Sequence, residues 1–316
     1  MQTKAKTAFL FPGQGSQFVG MGKDIYEKYP AAKAVFKKAD KTLAFPLSDL
    51  CFAGPESELT LTANTQPALL TIGIALLNAL QEETDIVPDY VAGHSLGEYS
   101  ALVCAGGLRF EDALRTVRQR GKFMQNAVPA GTGSMAAIIG MESEKLQKYC
   151  EDFSHEDIRV VIANRNCPGQ YVISGHSEAV QLLMQAAQKA GALIFPLAVS
   201  APFHSPLMQK AADDLAAWLE SITFSDTRVP LINNAEAEFL QKAGDLKASL
   251  IRQVMAPVLW ENSMRRLIAQ GVENFVEIGP GKVLSGLMKR IDKRMNIINI
   301  SDTASLENAI AQLAVS

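Results

Sequence analysis

Short apolar runs alternate with longer amphipathic stretches along the first third of the chain. Residues 7–11, Thr-Ala-Phe-Leu-Phe, read as a buried strand, followed by a Gly-rich turn and helical segments around 24–40. Asn64-Thr65-Gln66-Pro67 has the make-up of a helix start. Asn or Thr can cap, Pro is tolerated in the first turn, and the helix runs to about residue 83. A strand at 89–92, a tight turn and a helix from Glu98 come next. This alternation predicts a parallel sheet with helices on both faces.

The rhythm changes near Gly131. Residues 135–139 are strand-like, 143–153 helical, and 160–163 and 171–174 are strands joined by a turn-rich 164–170. Residues 177–190 are helical, with Val180, Leu183, Met184 and Ala187 on one face, and 193–199 is another strand. The order βαββαβ is that of a ferredoxin-like unit. We therefore expect a small inserted subdomain at 130–200 and a main domain made of 1–129 and 201–316. The main domain resumes with helix 206–222, strand 229–233, helices 245–255 and 263–270, strand 274–278 and a last helix after Gly281.

At 316 residues and about 150 residues per domain, two domains fit the length. The 48% hydrophobic content can fill a large core, which excludes a disordered chain. With 30 Lys and Arg against 33 Asp and Glu, the net charge is −3. A protein that works by neutralising phosphates should be basic, so no nucleic-acid partner is expected. Cysteines 51, 104, 150 and 167 show no C-x-x-C spacing and read as reduced thiols of a cytoplasmic protein, and no zinc site is visible. The N-terminal apolar run is too short for a signal peptide. The longest apolar stretch, 67–80, is too short and interrupted to cross a bilayer, so no membrane association is expected.

Gly93-His94-Ser95-Leu96-Gly97 is a G-x-S-x-G between a strand and a helix, the context of a nucleophile elbow. The pentapeptide also arises by chance, and the context is what gives it weight. Its glycines allow a sharp turn that presents Ser95, while the Leu96 amide lies at a helix N-terminus that favours an anion. A serine nucleophile needs a base. Of the four histidines, His155 lies in a charge run and His176 between a strand and a helix of the insert. His94 holds the elbow's variable position, where its ring need not face the hydroxyl. His204 follows a strand where the insert rejoins the main domain, a natural cleft wall, and is the best base by elimination. The alternative is a hydrogen-bonded surface residue.

Arg120 falls within the apolar stripe of a helix at 110–125, beside Ala113, Val117 and Met124. Arg115, Arg118 and Lys122 fall on the opposite, wet face. A core-facing arginine needs an anion. Either an internal Asp or Glu supplies it, or a substrate carboxylate does. Phe11-Pro12-Gly13-Gln14-Gly15-Ser16-Gln17 lacks the third glycine of a dinucleotide fingerprint and the Gly-Lys-Ser/Thr of a P-loop. Its glycines either turn the Gln14 amide toward a ligand or only make a tight turn. Gly279-Pro280-Gly281-Lys282-Val283 matches a P-loop poorly and reads as a turn into a helix.

Six segments, Phe-Pro-Gly-Gln-Gly-Ser-Gln (11–17), Asn-Thr-Gln-Pro-Ala (64–68), Gly-His-Ser-Leu-Gly-Glu-Tyr (93–99), Arg-Gly (120–121), Phe-His (203–204) and Glu-Ile-Gly-Pro-Gly-Lys-Val-Leu (277–284), occur in one order. Together they resemble the malonyl-CoA:acyl carrier protein transacylases of bacterial fatty-acid synthesis, over about residues 7–290. The resemblance implies an α/β hydrolase-like domain with a parallel sheet and a ferredoxin-like insert. It implies Ser95 as acylated nucleophile, His204 as base, Arg120 as ligand of the malonyl carboxylate, and the Gln14 and Leu96 amides as oxyanion hole. It also implies that the Gln253 backbone carbonyl orients the histidine. Phe203 would favour malonyl over bulkier α-methylated units, and Asn166 matches a cleft residue of unassigned role. No metal or cofactor is implied. The partners implied are a coenzyme A thioester and an acidic acyl carrier protein, and a monomer is expected.

An acidic carrier suggests a basic dock, and Lys289-Arg290-Ile291-Asp292-Lys293-Arg294 is a local basic cluster, though a solvated helix end explains it more simply. Three other readings stand beside this one. In an esterase-type serine hydrolase the histidine usually lies near the C-terminus after an acidic residue, whereas more than a hundred residues follow His204. An acyltransferase serving a polyketide synthase in trans fits the same motifs. A non-catalytic carrier-binding scaffold is disfavoured by the intact Ser95, His204 and Arg120.

Overall fold

A computed structural model describes residues 5–199 and 201–313. Ser200, at the expected junction of the insert, and both extreme ends of the chain lie outside the described residues. Ten strands are formed among the described residues: β1 (Lys6–Phe11), β2 (Tyr90–Gly93), β3 (Gly133–Ile139), β4 (Val160–Cys167), β5 (Gln170–His176), β6 (Leu193–Pro196), β7 (Leu231–Ile232), β8 (Phe239–Leu240), β9 (Val272–Ile278) and β10 (Asn296–Ile300).

The larger sheet has the order β10-β9-β1-β2-β7-β8. Every pairing in it is parallel except β7 with β8. β1 lies at its centre and is buried on both faces from Thr7 to Phe11, which is why its sequence is a continuous apolar run. The smaller sheet has the order β4-β5-β3-β6 and is antiparallel throughout. Numbered within the insert, that order is 2-3-1-4, the ferredoxin-like arrangement expected from the βαββαβ pattern. Helices Ser143–Asp152 and Ser177–Lys189 cover one face of this sheet through Ala136, Ile138, Leu146, Ile173 and Leu183. The alternate residues Met135 and Val172 pack into the core of the larger unit.

Several elements differ from the sequence reading. The central helix begins at Thr62, so Pro67 lies inside it rather than in its first turn. Asn64 and Thr65 do not cap: their side chains bond back to the carbonyls of Glu58 and Leu59. β4 and β5 extend through most of 164–170, with register shifts accommodating the turn-prone residues. β8, β10 and the helix Thr303–Leu313 were not anticipated. β8 is two residues long and carries little local signal, whereas β10, with Ile297, Ile298 and Ile300, carries one that the sequence reading passed over. All four cysteines are unpaired and buried. No helix among the described residues is long and apolar enough to cross a membrane.

Candidate active site

β2 ends at Gly93 and the next helix, Gly97–Ala105, starts four residues later. The turn is so tight that a Cβ on Gly93 would collide with the backbone of Gly97 and Glu98, and one on Gly97 with the Phe11 carbonyl. Ser95, at its tip, has φ 51. That left-handed conformation is costly for a residue with a side chain and persists only when the surroundings impose it. Asn234, just after β7, imposes it. Its Oδ1 accepts from the Ser95 amide at 2.6 Å, and its Nδ2 donates to the Gly93 carbonyl at 2.7 Å.

His204 also has a left-handed backbone, φ 55, in the loop after β6. Its Nε2 lies 2.8 Å from Ser95 Oγ, and its Nδ1 lies 2.9 Å from the Gln253 carbonyl and 3.1 Å from that of Ala256. Carbonyls only accept, so Nδ1 carries the proton and Nε2 is left to accept from the serine hydroxyl. Burial, with the nearby Arg120 charge second, pushes the imidazole pKa down to about 3, so the resting ring is neutral.

Arg120 is 1% exposed, on the apolar stripe of helix Phe110–Gln125. That helix crosses the central one so closely that a Cβ on Gly121 would lie 2.7 Å from the Thr62 carbonyl oxygen. The close approach brings Gln66 to the guanidinium. Nη1 donates to Gln66 Oε1 at 3.0 Å, and Nη2 to Gln253 Oε1 at 2.9 Å and to Ser95 Oγ at 3.3 Å. Nε has no partner among the described residues. Of the two explanations for a core-facing arginine, a directly paired Asp or Glu is not found within 4 Å among the described residues. Arg120 thus presents a desolvated cation, held by neutral oxygens, beside the serine.

Ser95, His204 and Arg120 face a cleft of about 350 Å³, with Met124, Met135, Val199 and Phe203 on its apolar walls. Gln14 and Leu96 line it as well. The loop after β1 presses on the elbow so tightly that a Cβ on Gly13 would collide with the His94 carbonyl. The backbone N–H groups of Gln14 and Leu96 donate to no acceptor among the described residues. Gln253 and Asn166 are buried and are not among the residues lining the cleft. Asn166 Oδ1 is 2.8 Å from His94 Nε2, the His94 ring packs 5.4 Å from that of Trp260, and His94 lines the cleft beside Ser95. His155 and His176 lie in the insert, where His176 Nδ1 accepts from the Arg159 amide. The Lys289–Arg294 cluster is a solvated helix end: Arg294 pairs with Asp292, and Arg290 donates to Gln170.

Sequence reasoning missed Gln66, Glu98 and Asn234, and it assigned Gln253 a role only through its backbone. Gln66 and Glu98 lie inside motifs already singled out, whereas Asn234 is one polar residue after a short strand and offers no local signal.

Residues 8–305 match the acyl transferase domain family. The chain is 53% identical over 310 residues to the malonyl CoA-acyl carrier protein transacylase of Bacillus subtilis, covering 98% of each chain. It is 46% identical over 304 residues to the Escherichia coli K12 protein of the same name, covering 96% of this chain and 98% of that one. Among solved structures it is similar to a malonyl CoA-acyl carrier protein transacylase from Coxiella burnetii, with TM-score 0.95 and 41% identity over 98% of each chain. It is also similar to a malonyl-transacylase in complex with its type II PKS acyl-carrier protein, with TM-score 0.95, 44% identity and coverage of 98% and 100%.

Proposed function

The chain belongs to the malonyl-CoA–acyl carrier protein transacylases of the acyl transferase domain family, and from that premise we propose that it carries a malonyl group from malonyl-CoA to a carrier protein's phosphopantetheine thiol through an ester on Ser95. One observation carries the reading: Ser95 Oγ is within bonding reach of both His204 Nε2, at 2.8 Å, and Arg120 Nη2, at 3.3 Å. A general base and a cation without a direct carboxylate partner thus meet at one hydroxyl. That pairing suits an acyl group with a second carboxylate, and a plain esterase has no use for it.

The chemistry follows from the positions. The malonyl carboxylate replaces Ser95 Oγ as acceptor of the Arg120 Nη2 proton, which frees the hydroxyl to attack. His204 Nε2 takes the serine proton as Oγ bonds to the thioester carbon. The Gln14 and Leu96 amides receive the oxyanion. His204 then gives its proton to the departing coenzyme A sulfur, leaving the malonyl ester on Ser95. In the second half the phosphopantetheine thiol gives its proton to His204 and its sulfur attacks the ester carbon; the bond to Ser95 Oγ then breaks as His204 returns the proton to that oxygen. Arg120 lowers the basicity of His204 at rest. A carboxylate on Arg120 offsets that field, so a malonyl donor strengthens the base that acts on it, while an acetyl donor does not.

The defining assay mixes the protein with malonyl-CoA and phosphopantetheinylated carrier proteins from fatty-acid and type II polyketide systems. Both carriers are included because one similar structure contains a type II PKS carrier. Malonyl-carrier thioester should form in a carrier-dependent way. Release of free malonate at the same rate with and without carrier would make the protein a hydrolase instead.

A further inference from the structure

Glu98, in the first turn of the helix after the elbow, is 1% exposed and takes no part in the bond-making steps above. Its Oε2 accepts from the Asn234 amide at 3.0 Å and from Gln253 Nε2 at 3.0 Å. Asn234 is the residue that holds the strained elbow. Gln253 passes the connection on, through its Oε1 to Arg120 and through its backbone carbonyl to His204. The Gln253 amide has only one workable orientation, because its Nε2 also donates to the Ser95 carbonyl at 3.0 Å while its Oε1 faces a guanidinium. A single neutral amide therefore separates a buried carboxylate from a buried cation. The other groups about Arg120 are uncharged: Gln66, the Ser95 hydroxyl and the Tyr99 ring, whose centroid lies 5.7 Å from the guanidinium carbon. Charges this close in a dry interior interact far more strongly than they would in water.

Resting on the reading that Arg120 receives the acyl carboxylate, we propose that Glu98 is a positioning residue for that site. Its buried charge, carried through the Gln253 amide, holds Arg120 in line with Ser95 and offsets part of its pull on the acyl carboxylate. The acyl group is thereby held firmly enough to be selected and loosely enough to leave. Burial pushes the Glu98 carboxyl up to about 7, against the opposing effects of its Gln253 and Asn234 bonds and of Arg120, with Glu236 adding to the rise. Of the titratable groups about it, Arg120, Tyr99 and Glu236 act on Glu98 directly, and His204 is linked to it only through Gln253. A second carboxylate arriving at Arg120 draws off the charge that favours ionised Glu98, so Glu98 takes up a proton as the acyl carboxylate binds.

Calorimetry on the Ser95→Ala protein, which can bind donors but cannot be acylated on the serine, tests this. Adding Glu98→Gln keeps an oxygen for both donors and removes the charge. Malonyl-CoA should then bind about fivefold tighter, at the low end for coupled sites, while acetyl-CoA stays within about twofold. A purely structural role would weaken both donors alike or change neither, and either result overturns the proposal. With Glu98 in place, the heat of malonyl-CoA binding near pH 7 should vary with buffer ionisation enthalpy, reporting proton uptake that acetyl-CoA does not cause. Equal uptake for both donors, or none for either, overturns the proposal without recourse to any Glu98 variant. Equal affinity of Ser95→Ala for the two donors would remove the Arg120 reading itself, and the role of Glu98 with it.

Discussion

At the end of β9 a turn through Gly279 and Gly281 leads into helix Val283–Ile291, and at the end of β2 a turn through Gly93 and Ser95 leads into helix Gly97–Ala105. Both strands neighbour β1 and run parallel to it, so the two turns lie at the same end of one sheet. At the first, the amides of Leu284 and Ser285 donate to the Glu277 carboxylate at 2.9 and 2.8 Å, and the Ser285 hydroxyl adds a bond at 2.6 Å. That helix N-terminus is closed by an anion from its own chain. At the second, Leu96 lines the cleft, no side-chain acceptor for its amide is found among the described residues, and the residue before it is a strained serine. The same local architecture is closed where the chain supplies the anion and, in the function we propose, open where a substrate supplies it. Arg120 repeats the lesson, as a buried cation whose direct partners are neutral oxygens.

If the second turn is the reactive one, His204→Ala should cut transfer by about 10²–10⁴-fold, with the fold intact by circular dichroism. A loss under tenfold would mean another base serves Ser95. Arg120→Ala and Glu277→Gln set the two turns against each other. Arg120→Ala should cost malonyl transfer about 2–4 kcal/mol of transition-state binding, tens- to several-hundred-fold, and narrow the gap to acetyl. Glu277→Gln should cost about 1–3 kcal/mol of stability in denaturant and leave the malonyl-to-acetyl rate ratio unchanged. A shifted ratio in Glu277→Gln, or a fixed one in Arg120→Ala, would dissolve the contrast.

Acidity should separate the turns less sharply. The folded pKa of His204, about 3, lies below its ordinary 6.5, so between those values the unfolded chain binds a proton that the native protein refuses. The stability tied to neutral His204 is whole above about pH 6.5 and declines as pH falls toward 3. Glu98, raised from 4.5 to about 7, works oppositely: its contribution is whole below about 4.5 and is lost as pH rises through 7. For catalysis the neutral imidazole persists on the acid side, so acylation at saturating malonyl-CoA should change less than about twofold from pH 7.5 to 5.5. A tenfold fall in stopped-flow traces over that interval would show His204 titrating near its ordinary value. The smallest effect is expected at the cleft wall, where Phe203→Ser should raise methylmalonyl transfer relative to malonyl by a few-fold. Equal exclusion of methylmalonyl by both proteins would count against Phe203 as the limiting contact.

The elbow was legible in the sequence because steric demands at Gly93 and Gly97 leave almost no alternative residues, and Arg120 because helical periodicity placed a charge on an apolar face. The ferredoxin-like insert was legible because short apolar runs and helical stretches follow one another in the order βαββαβ, and burial on both faces keeps those strands apolar. Glu98 and Asn234 were not singled out, since their partners lie more than a hundred residues away along the chain and no local pattern records such a pairing. Pro67 misled for a related reason. The turn preceding it is held by Asn64 and Thr65 bonding backwards to the carbonyls of Glu58 and Leu59, and the helix begins at Thr62, ahead of the position where local preference would begin it.

The central claim is that Ser95 carries the acyl group between two thiols. Intact-mass spectrometry of the protein mixed with malonyl-CoA, followed by peptide mapping, addresses it most directly. The account predicts a population heavier by one malonyl group, located on Ser95, absent from Ser95→Ala and discharged by phosphopantetheinylated carrier protein. No adduct under any donor concentration, or an adduct on a different side chain, would contradict it.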